Sequence, residues 1–146
     1  MGKFFSIGYQ KSNSKILVNI FQTHLIDEII DVRSFPFSKY NKDFDKLNLK
    51  QIIEANGMKY EWKGESLGGL KKCSYKEKVA VLNDLIERVR SGKRVCLFCM
   101  EKDPEECHRK KDLAQVIRKL YDEEVVHLDN TNGDVIRVSN TLGEFT

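Results

Sequence analysis

The period of the apolar positions changes repeatedly along the chain, and each change marks a new element. Lys3 to Ile7 is a short apolar run that closes at Gly8, a first strand. From Ser14 to His24 the apolar residues Ile16, Leu17, Ile20 and Phe21 recur at helical spacing. Asp27 to Val32, with Ile29, Ile30 and Val32, reads as a buried strand. Pro36 then breaks regularity, so Ser34 to Asp45 is expected to be a long loop. Leu47 to Asn56 is helical, and Gly57 suits its C-terminal cap. Met58 to Trp62 is a third strand. Lys63 to Ser74, with Gly64, Gly68 and Gly69, is a second long loop.

Ser74 can cap the following helix, with Glu77 three residues later completing a capping box. That helix runs to about Arg90 and carries Val79, Leu82, Leu85, Ile86 and Val89 on one face. Arg94 to Cys99 is a nearly unbroken apolar run of the sort buried on both faces of a parallel sheet. Met100 to Glu106 is a polar loop, and Cys107 to Tyr121 is helical, with Leu113, Val116, Ile117 and Leu120 facing inward. Val125 to Leu128 is a last buried strand.

Five strands alternating with four helices predict an α/β fold: a single three-layer domain with a mainly parallel five-stranded sheet and helices on both faces. The domain spans residues 1–128, and residues 129–146 form a C-terminal tail or an edge strand. Ligands of such sheets bind outside the carboxyl ends of the strands. The loops after Val32, Trp62 and Cys99 all open on that edge.

Composition narrows the class. The chain has 146 residues, 40% hydrophobic and 32% charged, which describes one globular domain that needs no disulfide or metal staples. No apolar run approaches a membrane span and no signal peptide is visible, so the expected setting is cytoplasmic, with no membrane partner. Cys73, Cys96, Cys99 and Cys107 are then thiols rather than bridges. The net charge of +3 identifies no partner. Lysines crowd the stretch from Lys39 to Lys78, which reads as a solvated face or as a surface for a phosphate-bearing partner.

Candidate chemistry concentrates in the segment from Cys99 to Arg109. It starts at a strand end and enters the first turn of a helix, where backbone N–H groups favour an anion and lower a thiol pKa. Arg109 offers a fork for phosphate or carboxylate, His108 a proton near neutral pH, and Glu101 an acid or base. The structural alternatives are a packed Cys99 and a bracing Glu101–Arg109 ion pair. Strand alternation puts Cys96 and Cys99 on opposite faces, so no metal site and no cofactor are expected. Asp31 and Arg33 close the second strand, gripping either a substrate or each other. Ser34, Ser38, Lys39 and Tyr40 add contacts from the loop, and Gly68-Gly69 can form a nest of N–H groups. His127 is either a packed histidine or a site residue.

Taken together, Ser6-Ile7-Gly8, Asp31-Val32-Arg33-Ser34-Phe35-Pro36, Leu67-Gly68-Gly69, Cys99-x-Glu101, Cys107-His108-Arg109 and Val126-His127-Leu128 resemble the domain-of-unknown-function 488 family, from about Phe5 to Leu128. The chain departs from that pattern at Gln10, Lys39 and Asp45. A strand ending in Asp-Val-Arg and a later one ending in Cys before a helix also resemble the rhodanese-like layout, which implies Cys99 as a sulfur-carrying nucleophile. The acidic loop holding Glu101, Asp103, Glu105 and Glu106 counts against efficient sulfur transfer.

Three functions remain open. The first is a hydrolase-type or glycosidic-bond-cleaving enzyme on a nucleotide or nucleic acid. Glu101 or Asp31 would do the acid, base or electrostatic work there; across the readings the catalytic candidates are Cys99, Glu101 and Asp31, and the binding candidates Arg33, Ser34, Ser38, Gly68, Gly69, His108 and Arg109. Tyr9, Phe35, Tyr40 and Trp62 would stack on bases. The second is thiol-dependent sulfur or phosphate transfer at Cys99. The third is a non-catalytic anion or nucleic-acid binding module.

Overall fold

A computed structural model describes residues 1–68 and 74–136, without the side chains of residues 108–110. Gly69, Cys73 and residues 137–146 lie outside the described residues. In chain order the elements are β1 (Lys3–Gly8), α1 (Ser14–Thr23), β2 (Glu28–Asp31), a 3₁₀ turn (Lys42–Phe44), α2 (Lys46–Ala55), β3 (Lys59–Trp62), α3 (Gly64–Leu67), α4 (Tyr75–Arg90), β4 (Arg94–Cys99), α5 (His108–Tyr121) and β5 (Val125–His127). The five strands form one sheet in the order β3-β2-β4-β1-β5, and every pairing is parallel. This is the expected α/β domain.

The sheet separates two apolar cores. On one face Phe5, Ile7, Ile29, Tyr60, Cys96 and Phe98 pack against Leu17, Ile20 and Phe21 of α1 and Leu49 and Ile53 of α2. On the other, Phe4, Ile30, Val95, Leu97 and Cys99 pack against Leu82, Leu85, Ile86 and Val89 of α4 and Leu113 and Ile117 of α5. Burial on both faces explains why β4 reads as a continuous apolar run.

The chain leaves β1 and β2 toward the α1/α2 face, and leaves β4 toward the α5 face. β4 lies between β2 and β1. Both crevices flanking β4 are therefore points where successive connections diverge, the place where open α/β sheets hold ligands.

Helix ends follow the residues that predict them. The Ser74 hydroxyl accepts from the Glu77 N–H at 3.1 Å. Asn56 ends α2, and Gly57 follows at φ +83°, a conformation that costs glycine little. Both long loops hold more structure than periodicity reveals. The 3₁₀ turn is capped by the Asn41 side chain, which accepts from the Asp43 N–H. The single turn of α3 is too short to show a period, yet it buries Leu67. Leu120 departs from its expected inward position and is 40% exposed; Tyr121 packs against the core in its place. Among the described residues no helix is long and apolar enough to cross a membrane. Past β5 the chain turns back through an antiparallel bridge between Leu128 and Val135.

Candidate functional site

β2 ends in a buried charge pair. Asp31 is fully buried and Arg33 is 2% exposed. Arg33 Nε donates to Asp31 Oδ1 at 2.9 Å and Nη2 donates to Oδ2 at 2.7 Å, a bidentate fork. The Arg33 backbone N–H adds a bond to Oδ1, and the Tyr60 hydroxyl donates to Oδ2. Four donors thus occupy the carboxylate. Burial opposes the Arg33 charge, but its hydrogen bond and attraction to Asp31 outweigh this and hold the guanidinium above its ordinary range. Burial and the neighbouring Asp31 charge push the Tyr60 hydroxyl well above its usual value, so it stays a donor.

The same guanidinium lies against two aromatic rings, 5.3 Å from the centre of Tyr9 and 5.0 Å from that of Phe98. Tyr9 stacks on Phe98 at 5.6 Å and is itself buried, so it packs the Arg33 pocket and offers no open face to a base. Arg33 Nη1 is buried and has no hydrogen-bond partner among the described residues. Asp31 and Arg33 grip each other, and the Nη1 nitrogen remains over among the described residues.

The loop after this pair alternates inside and outside. Pro36 and Ser38 are buried, while Phe35, Phe37 and Tyr40 are 61%, 64% and 91% exposed. Ser38 builds the loop: its N–H donates to Asp45, and its hydroxyl accepts from the Asn41 N–H. Lys39 lies over the Tyr40 ring at 5.6 Å, and Lys46 over the Trp62 ring at 4.6 Å. Trp62 donates to the Arg33 carbonyl at 2.7 Å, tying β3 to the loop. Ser34 is buried beside Gly68, where an added Cβ would meet the Ser34 hydroxyl at 2.2 Å. Gly68 therefore serves close packing.

Cys99 points to the opposite face. Alternation along β4 sends Cys96 and Phe98 into the α1/α2 core and Cys99 into the α4/α5 core. Cys99 and Cys107 are both fully buried, with their sulfurs 3.3 Å apart. Glu101 is half-buried, and its carboxylate lies within 4.8 Å of both sulfurs. Alternation along β4 separates Cys96 from Cys99, and the fold brings Cys107 to Cys99 instead. A nucleophile needs access to its substrate, and Cys99 has no exposed surface. The side chains of His108 and Arg109 lie outside the described atoms, although their backbones form the first turn of α5.

The two centres share one edge of the sheet but not one face. β1 ends close to the second: an added Cβ on Gly8 would meet the Glu101 carbonyl at 1.7 Å. Asn130, buried after β5, donates to the Gly8 and Gln10 carbonyls at 2.8 Å each. Its position in a polar, unpatterned stretch hid it from the sequence reading. Tyr60 and Phe98 were hidden as ordinary strand aromatics. His127 is buried and hydrogen-bonded to the Ser6 hydroxyl. Over this edge runs a groove of about 540 Å³ lined by Gln10, Lys11, Asp129, Ile136 and residues 102–106.

A family model described as domain of unknown function DUF488 matches residues 14–78. Over this segment the chain is similar to the DUF488 family. The DUF488 match runs from α1 into the start of α4 and contains Asp31, Arg33 and the aromatic loop. β4 and the segment from Cys99 to Cys107 lie outside it. No curated protein and no solved structure gave a match.

Proposed function

We propose that this chain binds a phosphate-bearing nucleotide or nucleic-acid strand at the carboxyl edge of its sheet and acts on it there as a hydrolase-type enzyme. The observation that carries the reading is the loop after β2. Three exposed aromatic rings, Phe35, Phe37 and Tyr40, share the segment 35–46 with Lys39, Lys42 and Lys46. Exposed rings accept stacked bases at about 1–3 kcal/mol each, and lysines beside them meet the phosphates. Asp31 positions Arg33 rather than reacting itself, because its four acceptor positions are taken. Of the three candidate catalytic side chains, Glu101 alone reaches solvent, which favours it as the carboxylate that serves the reaction.

A fluorescently labelled single-stranded oligonucleotide, followed by anisotropy at two salt concentrations, tests the reading. The expected result is salt-sensitive binding that weakens about 5- to 150-fold in Tyr40→Ala or Phe37→Ala, following the stacking energy per base. Binding that ignores both salt and these substitutions would remove the proposal. Binding without turnover would leave the loop a recognition surface alone.

A further inference from the structure

Three metal-ligating side chains meet at the end of β4, on the face away from Arg33. Cys99 and Cys107 are fully buried and free of disulfide, and the Glu101 carboxylate stands within 4.8 Å of both sulfurs. We propose that Cys99, Glu101 and Cys107 form a binding site for a soft divalent cation of the zinc class. The inference goes beyond the substrate reading and does not rest on it.

Distance separates this from the other chemistry open to paired thiols. Two sulfurs bound tetrahedrally to zinc, each at about 2.3 Å, are about 3.8 Å apart. A disulfide requires about 2.05 Å. The sulfurs lie 3.3 Å apart. The pair needs to open by only about 0.5 Å to take the ion, but to close by about 1.2 Å to form the bond. The metal geometry is the nearer one.

The donor set selects the ion. Two thiolates with a carboxylate suit zinc and its neighbours and discriminate against magnesium and calcium, which take oxygen ligands. Binding exchanges both thiol protons for the cation and moves no electrons. Two thiolates and one carboxylate about a divalent ion leave one negative charge. Three protein ligands leave the fourth tetrahedral position for water or a substrate oxygen.

The surroundings supply an approach. Residues 102–106, which join Glu101 to Cys107, form one wall of the groove over this edge. Asp103, Glu105, Glu106 and Asp129 line that groove against Lys11 and Lys102. Excess negative charge lining a cleft concentrates cations at its mouth. The acidity that disfavours a persulfide favours a metal. A bound ion would polarise a water or a phosphoryl oxygen, and Glu101 would then act through the metal.

The test is titration of the metal-stripped, fully reduced chain with Co²⁺. Expected are a near-ultraviolet thiolate-to-metal charge-transfer band saturating at one ion per chain, release of two protons per ion, and displacement by Zn²⁺. Cys99→Ser and Cys107→Ser should lose the band, and Glu101→Gln should weaken binding. Cys96→Ser, altered on the other face, should keep the band. If either thiol variant fails to fold, the wild-type titration and Glu101→Gln carry the test. Absence of the band in the reduced wild type overturns the proposal. So does a band that persists in Cys107→Ser, or a chain that forms a Cys99–Cys107 disulfide and, when reduced, takes no metal. Oligonucleotide binding measured on the same samples separates this failure from failure of the substrate reading.

Discussion

Asp31→Asn isolates the charge pair at the end of β2. The substitution keeps the side-chain shape, removes the negative charge and puts an NH₂ group where one carboxylate oxygen stood. Donors then face a donor: either Arg33 Nη2 and the Tyr60 hydroxyl, or Arg33 Nε and the Arg33 backbone N–H. Arg33 is 2% exposed, so water cannot take over the lost role. Removing one member of a buried, hydrogen-bonded pair costs about 3–5 kcal/mol. For a domain of this length that lowers Tm by roughly 6–20 °C. Urea unfolding should show the same loss as a lower midpoint at an unchanged slope. Arg33→Met, which keeps the aliphatic contact with Tyr9 and Phe98, should cost a similar amount by stranding Asp31. The double substitution should cost at least about 2 kcal/mol less than the sum of the two. An Asp31→Asn protein within about 1 kcal/mol of wild type, or a cycle with no coupling, would refute the pairing argument. Because buried pairs are poor sources of net stability, a strong coupling here favours a role in positioning Arg33.

Other substitutions probe the remaining contacts. Tyr60→Phe removes a hydrogen bond to a charged acceptor and should cost about 1.5–3 kcal/mol by denaturant unfolding. Tyr60 titrates above its unfolded value of 10.0, so wild-type stability should fall more steeply above pH 10 than that of Tyr60→Phe; equal slopes would contradict this. Glu61 feels burial pushing its pKa up, but the Arg88 hydrogen bond and the Arg88 and Lys63 charges bring it below 4.5. Its contribution is therefore present above pH 4.5 and lost as pH falls through the lower folded value. The side chain is 38% exposed, so Glu61→Gln should cost under about 1 kcal/mol near pH 7, with the gap closing in acid. A gap that persists in acid would count against the Arg88 contact. Gly8→Ala drives a Cβ into the Glu101 carbonyl and should cost about 3 kcal/mol, the upper end of overpacking. A Co²⁺ titration of this variant should also show weaker binding.

Much of the fold is legible locally. Among the described residues, apolar spacing marked all five strands and four of the five helices, because burial against a layer imposes a period of 2.0 or 3.6 on neighbouring residues. Gly57 and Ser74 marked helix ends because capping involves residues a few positions apart. The 3₁₀ turn and α3 escaped, being held by one side-chain cap and one buried leucine over segments shorter than any period. Asp31, Arg33, Cys99 and Glu101 were recognisable as chemistry-bearing because each stands at or just past the carboxyl end of a strand.

Period 2 alone separated Cys96 from Cys99. It could not say which face of β2 shares a core with which face of β4. That depends on the order β3-β2-β4-β1-β5 and on the register that sets Asp31 beside Phe98. Strand order and register arise from crossovers and packing between residues far apart in the chain, and no local pattern records them. They put Arg33 on the α1/α2 face with Tyr9, Tyr60 and Phe98, and Cys99 on the α4/α5 face with Cys107. The sequence alone determined the layers, the edge and the candidate residues; the tertiary structure divided those residues into a caged guanidinium and a dithiol–carboxylate cluster, because only long-range packing decides which side chains share a face.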